Sequence, residues 1–153
     1  MAGKLYIVGT PIGNLGDMTF RAVETLKSVD FIAAEDTRVT RKLMTYFGIS
    51  KPVVSYYEHN RTESGEKIVA RILEGENCAL VSDAGMPAIS DPGSDLVKLC
   101  AEAGIETAVV PGASAVVSAV AISGMPASRF CFEGFLSTNR RSRREHLDAI
   151  RDE

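Results

Sequence analysis

"LVSDAGMPAISDPG", residues 80–93, decides how this chain is read. An apolar run that opens at Cys78 stops abruptly at Asp83. The eleven residues from Asp83 to Gly93 hold two prolines, two glycines, two aspartates and no large aromatic. A short apolar run bounded by turn residues predicts a strand buried on both faces. In a parallel α/β sheet, the long punctuated loop after such a strand is where ligands bind.

Outward from this stretch the chain alternates. Strands are predicted at 4–9, 30–35, 51–57, 78–83 and 106–112, each a compact apolar run. Helices are predicted at 18–29, 37–48, 63–75, 93–104 and 113–124, several closed by a glycine such as Gly48, Gly75 or Gly104. The helix at 113–124 is unusually apolar. Strand–helix alternation of this kind predicts an α/β fold, a mainly parallel sheet flanked by helices on both faces. "SGMPASR" (123–129) reads as a linker, and "FCFEGF" (130–135) as a new strand. The expected organisation is one α/β domain over 1–124, with 125–153 as linker and start of a second domain.

Composition agrees with a folded, water-soluble chain. Of its 153 residues, 45% are hydrophobic and 24% charged, ordinary values for a globular domain. No apolar run is long enough to span a membrane, and "MAGKLYIVGTP" enters a strand pattern without a signal peptide's apolar core. A cytoplasmic location is expected. Cys78, Cys100 and Cys131 are far apart and form no CxxC pair, so buried reduced thiols are expected rather than a disulfide framework or a zinc site.

In a parallel sheet the loops "GTPIGNLGD" (9–17), "DAGMPAISDPG" (83–93) and "PGAS" (111–114) fall on one rim. "AEDTR" (34–38) and "YEHN" (57–60) join them there. Gly9, Gly13 and Gly16 match neither the GxGxxG dinucleotide spacing nor the phosphate-loop spacing, and no lysine follows to meet a phosphate. This favours a ligand held by backbone donors and acceptors, with Asp83 aimed at an amine, a cation or a hydroxyl. No His, Cys or carboxylate cluster has metal-ligand spacing, so no metal is expected.

"YIVGTPIGNLGDMTFRA", "AAEDTR", "LVSDAGMPAISDPG" and "VVPGASA" together closely resemble the tetrapyrrole (corrin/porphyrin) methylase superfamily. The best match within it is the branch of ribosomal RNA small-subunit methyltransferase I. The resemblance implies an S-adenosylmethionine-dependent methyltransferase acting on the ribose 2′-hydroxyl of a cytidine in small-subunit ribosomal RNA. It also implies two α/β domains with the donor in the cleft between them, and a homodimer. On that pattern this chain is an N-terminal fragment, inactive alone. A methylase of a tetrapyrrole or another small substrate on the same fold stays open, as does a non-catalytic fragment that binds a ligand or dimerises.

Carried over by motif, the donor-binding positions are Pro11, Ile12 and Gly13 in the first loop. Asp83, Ala84, Gly85 and Met86 follow in the central loop, and Ala113, Ser114 and Ala115 in the last. Tyr57, Arg61 and Ser137 depart from the branch's pattern on the substrate side. Removing a proton from a ribose hydroxyl calls for a base. Glu35, Asp36 and His59 are the candidates, against a structural reading of Glu35 and Asp36 as a salt bridge or helix cap before Thr37.

Charge is uneven. Residues 1–139 carry 12 Lys and Arg against 16 Asp and Glu, and "RRSRR" then places four arginines in residues 140–144. A polyanionic substrate needs a local basic surface. Arg140, Arg141, Arg143 and Arg144 are therefore expected to be exposed and to bind RNA.

Overall fold

The computed structural model describes residues 1–57 and 61–151. Five strands, β1 (Leu5–Val8), β2 (Phe31–Ala34), β3 (Val53–Ser55), β4 (Cys78–Val81) and β5 (Thr107–Val110), form one sheet in the order β3-β2-β4-β1-β5. Every pairing is parallel. Between and after them run α1 (Phe20–Ser28), α2 (Thr37–Tyr46), α3 (Arg61–Leu73), α4 (Ser94–Glu102), α5 (Ala115–Ile122) and α6 (Arg140–Ala149).

The sheet is covered on both faces, and the period-2 alternation of its strands sorts the core. Leu5, Ile7, Phe31, Ala33, Cys78 and Leu80 pack with Ile68 and Ile72 of α3 and Leu96 and Cys100 of α4. Val8, Ile32, Ala34, Ala79 and Val81 face the other way, onto Ala22 and Leu26 of α1 and Met44 of α2. β4 is buried at all four residues because neighbours pair on both edges and helices cover both faces. Truncating such a residue, Leu80 for example, costs about 2–5 kcal/mol.

Polar side chains set where helices begin. Thr19 accepts the Ala22 N–H and starts α1. Asp36 accepts the Arg38 N–H at 2.8 Å and starts α2. Asn139 accepts from Arg141 and Ser142 and starts α6. Each satisfies backbone donors that the helix itself leaves open.

The α/β fold with a mainly parallel sheet is as expected, and each of the ten elements predicted over 1–124 forms. Two expectations need correction, the strand at 130–135 and the burial of all three thiols, and α5 adds an observation of its own. "FCFEGF" (130–135) is not a strand: a strand exists only with a ladder partner, and no described segment pairs with it. Its Phe130, Phe132 and Phe135 are exposed. The apolar α5 buries none of its residues: it follows the edge strand β5, and among the described residues no other element buries it. Of the three thiols, Cys78 and Cys100 are buried and Cys131 is exposed, on that same irregular segment.

Candidate active site

With all five strands parallel, the loops after β1, β2, β4 and β5 emerge on one rim. The connections leaving the adjacent strands β2 and β4 diverge there: β2 leads through α2 to β3 on one edge, and β4 leads through α4 to β5 on the other. That is the switch point at which open α/β sheets bind ligands.

The loops after β1 and β4 are stitched together. Thr10 and Gly85 exchange backbone hydrogen bonds of 2.9 and 3.1 Å in an isolated antiparallel bridge. The buried Thr10 hydroxyl donates to the Ser82 carbonyl at 3.2 Å. Gly9 and Gly112 then bring the loops after β1 and β5 into backbone contact. A Cβ on Gly9 would stand 2.7 Å from the Gly112 Cα and nitrogen and 2.6 Å from the Met86 sulfur. A Cβ on Gly85, whose φ is +82°, would meet Ile12 at 3.5 Å and the Ala113 carbonyl at 3.7 Å. Ile12, Gly85, Met86 and Ala113, drawn from three separate loops, are thus brought into one cluster.

The central loop holds its shape by strain and burial together. Ala88 and Ser90 sit at φ +66° and +55°, left-handed conformations that non-glycine residues rarely adopt. Pro87, just before Ala88, is fully buried. Gly93 turns at φ +138°, where a Cβ would strike Leu80 at 2.7 Å.

Asp83 lies two residues beyond the end of the central strand β4 and is exposed. Its Oδ1 accepts the Asp36 N–H at 3.1 Å. The two loops therefore brace each other across β2 and β4. Glu35 titrates above the usual carboxylate range, first because it is drawn from water and then because Asp83 and Asp91 lie near. Asp91 is raised as well, chiefly by burial. Asp36 is held down to about 2 by its hydrogen bonds with Arg38. Its place is the cap of α2, the structural alternative drawn from its sequence position.

Asp83, Pro11 and Gly13 also border a cavity of about 440 Å³ between the loop after β1 and helix α2. Sequence reading missed its helical wall. Val39, Lys42, Leu43 and Tyr46 line it, and their 3–4–7 spacing reads equally well as a core stripe. Ala84 is exposed next to Asp83, while Ser114 starts α5 and makes no side-chain cap bond, with Ala115 beside it. His59 lies outside the described residues. Among those residues, no three His, Cys or carboxylate side chains gather as a metal group.

Arg140, Arg141, Arg143 and Arg144 are exposed and helical, in the first turns of α6. Arg141 pairs with Glu145 one turn on at 2.8 Å. The segment before α6 returns to the rim, where a Cβ on Gly134 would stand 3.4 Å from the Ser90 hydroxyl.

Comparison with known proteins bears directly on this rim. Residues 4–153 match the family model of the Tetrapyrrole (Corrin/Porphyrin) Methylases. A protein named ribosomal RNA small subunit methyltransferase I from Synechocystis is 55% identical over 151 residues, 99% of this chain and 54% of the relative. Its namesake from Bacillus subtilis is 51% identical over 149 residues, 97% of this chain and 51% of the relative. The chain thus spans about half the length of the relatives it matches. Among solved structures, uroporphyrin-III-C-methyltransferase from Thermus thermophilus superposes with a TM-score of 0.61 at 22% identity, over 83% of this chain and 54% of that one. Diphthine synthase does so at 0.64 and 18%, over 83% and 51%. Those two likenesses show a shared fold. With a family match over almost every residue and relatives half identical along it, this chain belongs to the tetrapyrrole (corrin/porphyrin) methylases.

Proposed function

We propose that this chain is the donor-binding first domain of an S-adenosylmethionine-dependent methyltransferase. Its acceptor is the ribose 2′-hydroxyl of a cytidine in small-subunit ribosomal RNA. The observation that carries the reading is the convergence of Ile12, Gly85, Met86 and Ala113 from three loops on one rim of the sheet. The relatives' shared name supplies the substrate class.

The residues present fit such a donor. Gly13, at φ +132° with no atom within 4 Å of where a Cβ would stand, leaves open space beside Pro11 and Ile12. Because Ser114 leaves its helix uncapped, the first-turn N–H groups of α5 remain donors for a carboxylate. Asp83 keeps a carboxylate at the end of the central strand. When bound, S-adenosylmethionine supplies a sulfonium methyl whose positive charge disappears on transfer. Rim residues act by alignment and by keeping water out, which suits an in-line displacement. Glu35, with its raised affinity for a proton, and His59 are the candidate bases for the hydroxyl proton.

The intact protein works in the cytoplasm as a homodimer on this reading, with its second domain forming the other wall of the cleft. Residues 1–153 alone then bind the donor weakly and transfer nothing. Exposed apolar residues such as Val117 and Ile122 on α5 are consistent with a covering partner. The test is methyl transfer from labelled S-adenosylmethionine to purified small subunits by the protein at its relatives' length. Label on a cytidine ribose is the expected result. Label on a corrinoid or porphyrin and none on the subunit would overturn the reading.

A further inference from the structure

We propose that the cavity between the loop after β1 and helix α2 receives the acceptor nucleotide, with Tyr46 stacking on the base and Lys42 meeting a phosphate. This inference rests on the RNA-methyltransferase reading above and deepens it.

The cavity and the donor cluster lie on opposite sides of one loop. Ile12, Gly85, Met86 and Ala113 gather towards β5. The cavity opens the other way, over β4 and towards α2, and shares with the donor positions only Pro11, Gly13 and Asp83. Its place is therefore next to the donor and distinct from it, as an acceptor's must be for an in-line transfer. At about 440 Å³ it is of the size of a small-molecule site.

Its chemistry is that of a single-stranded RNA platform. Tyr46 is 66% exposed at the cavity's edge. The Phe47 ring meets it edge-on, with centroids 4.9 Å apart at 81°, which steadies it without covering it. Val39 and Leu15 face the same space from opposite walls, each 39% exposed. Apolar walls with an aromatic at the mouth accept a splayed base by stacking. Lys42 lines the space, and neither it nor Arg41 beside it has an ion-pair partner among the described residues. These cations stand on a domain that is otherwise net negative. At the floor, Asp83 has Oδ1 engaged by the Asp36 N–H and Oδ2 unpartnered among the described residues. That oxygen can accept from a ribose hydroxyl.

Tyr46 and Lys42 are both exposed, so their replacement spares the core. The experiment compares Tyr46→Ala, Tyr46→Trp and Lys42→Gln with the parent at its relatives' length. The readouts are methyl transfer to purified small subunits, donor affinity by calorimetry, and melting temperature. Tyr46→Ala should lower kcat/KM for subunits by roughly ten-fold or more, and Tyr46→Trp should restore most of it. Lys42→Gln should reduce the salt dependence of subunit binding by somewhat under one unit of slope. Donor affinity and melting temperature should stay unchanged in all three. Parent-like transfer in both Tyr46→Ala and Lys42→Gln overturns this assignment and leaves the methyltransferase reading standing. Weakened donor affinity in Tyr46→Ala also overturns it, since the cavity would then belong to the donor. If the parent itself transfers nothing to subunits, the methyltransferase reading falls and this assignment with it.

Discussion

Replacing Gly9 by alanine should unlock the rim. The new Cβ would lie 2.7 Å from the Gly112 Cα and nitrogen and 2.6 Å from the Met86 sulfur. Carbon contacts settle at about 3.5–4.0 Å, so something must move by most of an ångström. The methionine can swing aside, because its thioether chain has several rotatable bonds. The Gly112 backbone cannot, because Gly9 donates its N–H to the neighbouring Val110 carbonyl at 3.0 Å. Overpacking of this kind costs about 1–3 kcal/mol, and the backbone partner puts Gly9→Ala towards the upper end. For a domain of this size that is a fall of roughly 6–10 °C in melting temperature. Thr10 follows directly, so its paired bonds to Gly85 should loosen, with faster amide exchange at both residues. A control separates this steric effect from simple loss of glycine. Gly104 has φ +69° with nothing within 4 Å of its Cβ position. Alanine there strains only the backbone, at about 1 kcal/mol, and should leave the rim's exchange untouched. Scanning calorimetry and hydrogen exchange on both variants decide the matter. If Gly9→Ala melts with the parent and protects Thr10 and Gly85 equally well, the close crossing of the two loops is not what holds the rim.

Four further outcomes are expected. Asp83→Ala should weaken S-adenosylmethionine binding and release the Asp36 N–H, and an unchanged calorimetric isotherm would remove Asp83 from the donor site. Glu35 keeps its proton to higher pH when folded than when unfolded. Stability should therefore fall as pH rises from the ordinary carboxylate value through the raised one, and the penalty is complete above that window. Glu35→Gln should accordingly melt higher at neutral pH and match the parent in acid; equal melting at both pH values would refute the raised affinity. Replacing Arg140, Arg141, Arg143 and Arg144 together by glutamine should weaken small-subunit binding and flatten its salt dependence with donor affinity intact, whereas an unchanged salt slope would make α6 merely a solvated face. Burial raises the Cys78 thiol and pushes Cys100 up to about 11, so a thiol reagent should titrate Cys131 alone in the native chain, and rapid reaction of a second thiol would contradict that burial.

Much of the fold was legible because it depends on local patterns. "CALV" and "FIAA" are short unbroken apolar runs bounded by polar or turn residues, the pattern of a strand covered on both faces. Gly48, Gly75 and Gly104 stop their helices at the positive φ values that glycine tolerates best. Where a segment needs a distant partner, the pattern misled. "FCFEGF" has the composition of a strand, yet no described segment gives it a ladder, and the apolar α5 has no buried residue among those described. Composition records what a segment could bury, not whether anything stands opposite.

The site divides in the same way. From sequence alone came the three loops and their expected emergence on a common rim, while the positions Pro11 to Gly13, Asp83 to Met86 and Ala113 to Ala115 came from the family resemblance. Parallel strands send their carboxyl ends to one edge whatever their order, so this much needed no coordinates. Only the tertiary structure set β1 between β4 and β5 and pressed Gly9 onto Gly112. It also turned Asp83 towards the loop after β2 and opened a cavity against α2. The 3.6-residue period of α2 aligns Val39, Leu43 and Tyr46 on one face without telling whether that face meets a core or an open space. That choice is made by the loop after β1, more than twenty residues earlier in the chain, which the Thr10–Gly85 bridge holds away from the helix.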